Sequence, residues 1–375
     1  MSIAASRVLV VGGGIGGMSS AIVLRRLGIA VDVVELDREW RVYGAGITIT
    51  GPTLRAFKAL GIYDSVMADA YVGHGIQICS VAGEPIRVVA TPTPVGSDVA
   101  GSGGIMRPVL HRILSASTLE SGAQVRLGLG IEALDQHDDR VTATFTDGRQ
   151  ATYDAVIGAD GLFSRTRELI FPDAPRPEYV GQFIWRVTVP RDPAIERRHF
   201  FLGGPVKVGL NPVSRDEMYM FVLEGAPAKV KIEDDVLVPR LKALLAPYGG
   251  AVGRVRDSLD ERFQIIARPL EAFLLPSPWY SGRVMLVGDA AHPTTPQLAS
   301  GAGMAVEDAL VLGAEMEGAA SVPEAFAAMM ARRHDRCRMV VENSLEIGRR
   351  ERTGAPPESQ TEILERSLAI LAQPI

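Results

Sequence analysis

The chain has only two cysteines, Cys79 and Cys337, in 375 residues. They lie far apart and share no C-x-x-C or Cys/His spacing, which points away from a metal site or a disulfide framework and leaves two reduced thiols. Long apolar runs are equally scarce. The apolar N-terminus is too short and too glycine-rich to span a bilayer, and it lacks a signal-peptide cleavage pattern, so a cytoplasmic protein without integral membrane association is expected. Excess charge of one sign is also missing. A formal net charge of −5, with 22% charged residues, offers no field for nucleic acid or an anionic membrane. No internal repeat or heptad pattern stands out. What is there, 47% hydrophobic residues over this length, is the composition of a globular protein with core material for two or three domains.

The most informative stretch runs from Arg7 to Asp37, RVLVVGGGIGGMSSAIVLRRLGIAVDVVELD. Val8 to Val11 reads as a short buried parallel strand. Gly12, Gly14 and Gly17 follow at G-x-G-x-x-G spacing. The first permits a tight turn, the second lets backbone approach a pyrophosphate, and the third lets a helix pack on the strand. A helix from about Gly14 to Leu27 then aims free N–H groups and its positive dipole end at the anion. Gly28 stops it, Ala30 to Val34 forms a second strand, and Glu35 closes that strand, placed to accept from a ribose hydroxyl and to disfavour a 2′-phosphate. Within this stretch NAD and FAD fit equally.

Further along, Gly44-Ala45-Gly46 before Ile47-Thr48-Ile49-Thr50 implies backbone near a ligand or a plain turn before a strand. Residues from about 73 to 95 read as a small antiparallel excursion, and 95 to 104, flexible in composition, as either a mobile loop or a connection between domains. Arg107 precedes a helix carrying Leu110, Ile113 and Leu114. VRLGLGIEAL, Val141 to Phe145 and Gln150 to Tyr153 form a meander with a D-G turn. A buried strand then reaches Asp160-Gly161, an acid placed for a cofactor or for a helix cap. From about 179 to 267 the chain alternates as antiparallel strands with a helix at VLVPRLKALLAPYG. It returns through Val284 to Val287 into Gly288-Asp289-Ala290-Ala291-His292-Pro293, and Gly301-Ala302-Gly303 opens a long helix whose start offers N–H groups to a ligand. The remainder reads as helical, with Arg332-Arg333 and Arg349 to Arg352 as solvated faces.

Three separated segments agree with one family. Gly12-x-Gly14-x-x-Gly17 with Glu35, Gly158 to Gly161, and Gly288 to Pro293 with Pro296 and Glu307-Asp308 together resemble the single-component FAD-dependent aromatic hydroxylases, which include p-hydroxybenzoate, salicylate, 6-hydroxynicotinate and urate hydroxylases. The resemblance covers roughly residues 7 to 310. It implies an α/β fold: a Rossmann-like FAD-binding domain of glutathione-reductase type (1–72, 98–178 and 268–340), an inserted, mostly antiparallel substrate domain (73–97 and 179–267), and a C-terminal helical segment (341–375). It further implies that Gly12, Gly14 and Gly17 cradle the FAD pyrophosphate, that Glu35, with Leu36 beside it, holds the adenosine ribose, and that Ile131 lies near the adenine. Arg107, Asp160 and Asp289 would contact FAD, and the backbone at Gly301, Ala302 and Gly303 would face the flavin ring, with Pro293 near its reactive edge.

The implied reaction uses NADH or NADPH to reduce FAD and O₂ to form a C4a-hydroperoxide that hydroxylates a small aromatic or N-heteroaromatic substrate. For substrate work the second domain offers Tyr219 to orient a ring substituent, Lys207 to pair with an anion and Trp185 to stack, with a core or rim position for Tyr219 and plain packing for Trp185 as the equal alternatives. Thr48 and Thr50 would point near the flavin. His292 is either a base or a loop-positioning residue. Two departures matter. Ala299-Ser300-Gly301 stands where many relatives have Gly-Gln-Gly, and the chain stops soon after the FAD fold, so no phenol-hydroxylase-type C-terminal domain is expected. The W-x-W-x-I-P motif of flavin halogenases is absent. A monomer or homodimer is expected. A flavoprotein tailoring or inactivating a larger polyketide-like substrate, and a non-enzymatic FAD-binding protein, stand as the alternative readings.

Overall fold

The computed structural model describes residues 4–42 and 44–375. Its centre is a six-stranded sheet in which Arg7–Val11 lies between Ala155–Gly158 and Ala30–Glu35, all parallel. Gln124–Leu127 extends the sheet beyond Ala30–Glu35, and Val284–Leu286 and Tyr280–Ser281 complete the other side. Val8, Leu9 and Val10 are fully buried because both faces of this sheet are covered. The helix Ile15–Arg26 packs chiefly on the helix Gly301–Met316. Two of the sheet's strand ends, Val11 and Gly158, thus feed glycine-rich loops on one side of the molecule, where α/β sheets bind ligands.

A seven-stranded sheet forms the second layer, in the order Ile266–Ala272, Glu178–Pro190, Glu217–Gly225, Lys207–Pro212, Arg198–Phe201, Ile76–Cys79 and Pro85–Val89. The excursion near residue 73 is therefore a hairpin, Ile76–Cys79 with Pro85–Val89, that joins this sheet through a parallel pairing with Arg198–Phe201. One face of the sheet carries Phe183, Trp185, Val187 and Met220 into a core with Leu241, Leu245 and Val252. Those last residues come from two helices, Leu237–Leu245 and Gly250–Ser258. The sequence reading had one helix there; a left-handed Gly250 breaks the run and restarts it.

Three further expectations need correction. The run VRLGLGIEAL is not one strand: Gly128, at φ +69°, splits it into Gln124–Leu127 of the parallel sheet and Ile131–Gln136 of a separate meander. The glycine-rich stretch before Arg107 is loop only over 95–101. Ser102–Met106 is a buried strand between Gly46–Thr50 and Tyr71–Gly73, and Gly103 and Gly104 allow close packing, since a Cβ at Gly104 would lie 2.4 Å from the Pro212 carbonyl oxygen. Arg333 does not belong to a solvated face. The 31-residue helix Val322–Arg352 buries it completely against Glu307 and Asp308. Among the described residues no helix is long and apolar enough to cross a membrane.

Candidate active site

The glycine-rich turn is built as its spacing requires. Gly12 sits at φ +104°, and a Cβ there would come within 2.4 Å of the Ala159 carbonyl oxygen. A Cβ at Gly17 would come within 1.9 Å of the Gly12 oxygen, so only glycine lets helix Ile15–Arg26 seat on the strand. Gly14 differs from both: nothing lies within 4 Å of its Cβ position, and it lines a cavity. That helix has no side-chain N-cap, which leaves its first N–H groups available to an anion. Glu35 braces the loop, accepting from the Gly13 N–H at 2.7 Å and the Asp37 N–H at 2.8 Å.

The cavity, of ≈ 380 Å³, runs from this loop to the inner face of the seven-stranded sheet. Gly14, Gly16, Arg107, Gly161, Asp289, Gly301 and Ala302 line one part, and Ile184, Phe200, Tyr219, Phe221, Leu223 and Leu270 the other. The helix Gly301–Met316 also begins without a side-chain cap. Arg107 enters from a helix start, and its buried Nε has no hydrogen-bond partner among the described residues. Asp289 opens into the cavity while protein surrounds it on the other sides. Burial raises its carboxyl above the usual range, with His292 and Arg107 opposing the rise. Two uncapped helix starts, an open glycine and an unpaired arginine fit a dinucleotide with an anionic pyrophosphate. Gly14, Arg107, Asp289, Gly301 and Ala302 are the residues positioned to hold it.

Several sequence-predicted residues fall elsewhere. Trp185 is a correction: strand side chains alternate faces, so with Ile184 and Arg186 on the cavity, Trp185 points into the opposite core. Its Nε1 donates to Glu224 at 2.8 Å, and its exposure is 0%. Lys207 does reach the cavity wall, but a carboxylate near the end of the helix Val322–Arg352 already claims it, Glu351 at 2.9 Å, with both side chains largely buried. Glu351 also accepts from Gln182 and Gln297.

His292 is fully enclosed behind the cavity. Its Nε2 meets Asp308 at 2.7 Å and its ring packs on Trp279. Burial opposes its charge, but Cys337 and Asp308 outweigh burial and raise its pKa well above the ordinary value. His292 does not line the cavity and its Nε2 is taken by Asp308, a loop-positioning arrangement rather than that of a base. His292, Asp308 and Cys337 converge as metal ligands do, yet Arg333 supplies the cation, donating to Asp308 at 2.8 Å.

Asp160 turns inward. One oxygen accepts from the Ser164 hydroxyl and the other from the Thr166 N–H and hydroxyl, so it pins the start of helix Arg165–Ile170. Gly303 is a packing position, its Cβ site 2.3 Å from the Thr53 hydroxyl. Ile131 is buried in the core beside Leu9 and Val34, and Leu36 is solvent-exposed. Thr294, Thr295 and Pro296 reach the cavity where Pro293 does not. Thr48 lines it, whereas Thr50 bonds to Thr53.

The structure adds residues that the sequence did not single out. His111 lies one helical turn after Arg107 and lines the same cavity, an i, i+4 relation that was available in the sequence. Arg186 and Arg198 project from the sheet face, and no local signal marks them. Tyr219 lies among them. Its hydroxyl is 2.6 Å from Thr48 Oγ1, which accepts from Asn211 Nδ2 at 3.0 Å. This relay orients one hydrogen-bonding function of Tyr219 toward the cavity.

Comparison with known proteins agrees with this geometry. A family model described as an FAD binding domain matches residues 5–344. A putative FAD-dependent monooxygenase, YetM, of Bacillus subtilis is 30% identical across 98% of this chain and 99% of its own. An FAD-dependent urate hydroxylase of Klebsiella pneumoniae is 30% identical across 89% and 88%. The crystal structure of Klebsiella pneumoniae HpxO complexed with FAD and uric acid superposes with a TM-score of 0.87 at 26% identity, covering 98% of this chain and 95% of that one. The chain therefore belongs to the FAD-binding-domain family, among the single-component FAD-dependent hydroxylases.

Proposed function

We propose that this enzyme uses NADH or NADPH and O₂ to hydroxylate a small aromatic or N-heteroaromatic compound. The observation that carries the proposal is the continuity of one cavity from the glycine-rich loop at Gly14 to the aromatic floor at Tyr219, Phe200 and Phe221. When bound, FAD supplies the redox chemistry and the activation of O₂. The protein's own tasks are then to hold, orient and dry the substrate. Ile184, Phe200, Phe221, Leu223 and Leu270 make the wall apolar and exclude water, which protects reactive oxygen species from wasteful release. Tyr219, fixed by Thr48 and Asn211, orients a ring hydroxyl or carbonyl.

The volume of the cavity, at the small end of ligand pockets, supports a compact ring over a polyketide-sized substrate. The sheet face carries no carboxylate or imidazole into the cavity among the described residues, so the Tyr219 relay is assigned to orienting the substrate and the nearby cations to favouring a substrate that enters as its anion, its proton already given up to solvent. NAD(P)H oxidation and H₂O₂ release, followed with a panel of phenols and hydroxypyridines, test this. Accelerated oxidation together with an oxygenated product is expected; the proposal fails if no aromatic compound gives either.

A further inference from the structure

Arg198 is 5% exposed and lines the cavity, yet its guanidinium has no ion pair or hydrogen bond among the described residues, and its Nε is buried without a partner. Its guanidinium lies over the ring of Phe200, at 5.2 Å, and within electrostatic reach of Tyr219. A buried cation left unpaired costs several kcal/mol, and among the described residues the other two fully buried arginines are satisfied: Arg167 donates to the Ala290 and Leu162 carbonyls, and Arg333 pairs with Glu307 and Asp308. The exception therefore calls for a partner from outside the chain.

The sheet register shows where that partner would sit. Phe200, Gly209, Phe221 and Arg186 are successive cross-strand neighbours. Arg198, two residues before Phe200, shares their face. Gly209 has no side chain, and the Phe221 ring lies over it, 2.2 Å from where a Cβ would stand. The result is an aromatic wall in which the Phe200 ring stands edge-on to Phe221, at 88°, and Tyr219 is tilted to Phe221 by 37°, with Arg198 on one flank and Arg186 on the other. Arg186 also has no ion pair or hydrogen bond for its guanidinium among the described residues, and lies close enough to Arg107 to feel its charge. Burial lowers both Arg186 and Arg198 to about 10, so both stay charged at neutral pH. The one carboxylate lining the cavity, Asp289, belongs to the cofactor end.

We infer that the substrate is an aromatic carboxylate, with Arg198 anchoring the carboxylate and Arg186 adding to the positive field over the ring. Planar guanidinium matches planar carboxylate through two parallel hydrogen bonds. This deepens the proposed function and rests on it, since the ring must lie in the cavity that serves the flavin.

The test titrates FAD-loaded enzyme with matched acids and amides: 2- and 4-hydroxybenzoate against the corresponding hydroxybenzamides, and 6-hydroxynicotinate against 6-hydroxynicotinamide. Binding is read by the flavin absorbance change, and NAD(P)H oxidation is recorded alongside. At least one acid should bind about 30-fold or more tighter than its amide, the usual loss when a buried charged partner is removed. In Arg198→Gln that ratio should collapse below about threefold while FAD content and thermal midpoint are kept. Arg198→Lys, which retains charge without the fork, should fall between and serves if the glutamine variant does not fold. Amides that bind and stimulate oxidation as well as the acids overturn the inference and leave the hydroxylase reading standing. An amide whose affinity rises with pH as its phenol ionises, matching its acid, identifies the anion as a phenolate and overturns the carboxylate. Silence from every acid and amide overturns this inference, and the wider panel of phenols and hydroxypyridines then decides whether the hydroxylase reading stands.

Discussion

Replacing Arg333 with methionine tests how the cofactor end of the cavity is held. Arg333 is fully buried and donates to Asp308 at 2.8 Å, to Glu307 at 2.7 Å and to the Met304 carbonyl at 3.3 Å. Glu307 keeps Arg336 at 2.8 Å and Arg55 at 3.6 Å after the change, and Asp308 keeps His292 at 2.7 Å and the Gly288 N–H at 2.9 Å. Removing one partner of a buried ion pair costs about 3–5 kcal/mol. These residual partners place the loss near the lower end, at about 3 kcal/mol. Because Asp308 also fixes Gly288 and His292, the loop carrying Asp289 loosens, and FAD affinity should fall together with stability. Urea unfolding of flavin-free protein isolates the first effect, and fluorescence titration with FAD isolates the second. Arg333→Lys should recover only part of each, since an ammonium cannot reach both carboxylates in one plane. Arg333→Met protein within about 1 kcal/mol of the parent, the range of exposed pairs, would refute the reasoning.

Gly17→Ala places a methyl against the Gly12 carbonyl; overpacking of about 1–3 kcal/mol should displace the helix and yield protein purified without bound flavin. Lys207→Met leaves Glu351 buried and unpaired, and should destabilise by about 3 kcal/mol, whereas Lys207→Met with Glu351→Gln should recover most of the loss in a double-mutant cycle read by urea unfolding. Tyr219→Phe and Trp185→Phe should separate cleanly. The first breaks the Thr48 relay and should lower kcat/KM roughly five- to tenfold with more H₂O₂ per NAD(P)H. The second loses the bond to Glu224, the Arg240 contact over the indole and some buried volume, and should cost about 1–3 kcal/mol of stability with turnover unchanged.

The FAD half was legible because its constraints are local. Gly17 is required by its contact with Gly12 five residues earlier and Gly12 by its φ of +104° as well as by the distant Ala159 carbonyl, and the order of strand, turn and helix follows from short-range pattern. The substrate half was legible as strands but not as a site. Which face of Glu178–Pro190 turns to the cavity depends on helices more than fifty residues later, and a one-residue shift exchanges Trp185 for Arg186. Lys207 was read as free because its partner, Glu351, lies 144 residues away on a helix whose charges looked solvated. Arg333 was misread for the same reason: periodicity identifies a helix but not which of its charges meet buried carboxylates. Asp160 could be read locally two ways, cofactor contact or helix cap, and the Thr166 hydrogen bonds place it at the helix start.

Oxygen-isotope labelling tests the central claim most directly. FAD-loaded enzyme turning over an aromatic acid with NAD(P)H under ¹⁸O₂ should yield product carrying one ¹⁸O atom per hydroxylation, and none when the label is in water instead. Product oxygen derived from water, or NAD(P)H oxidation that yields only H₂O₂ with every ring compound that binds, would contradict it.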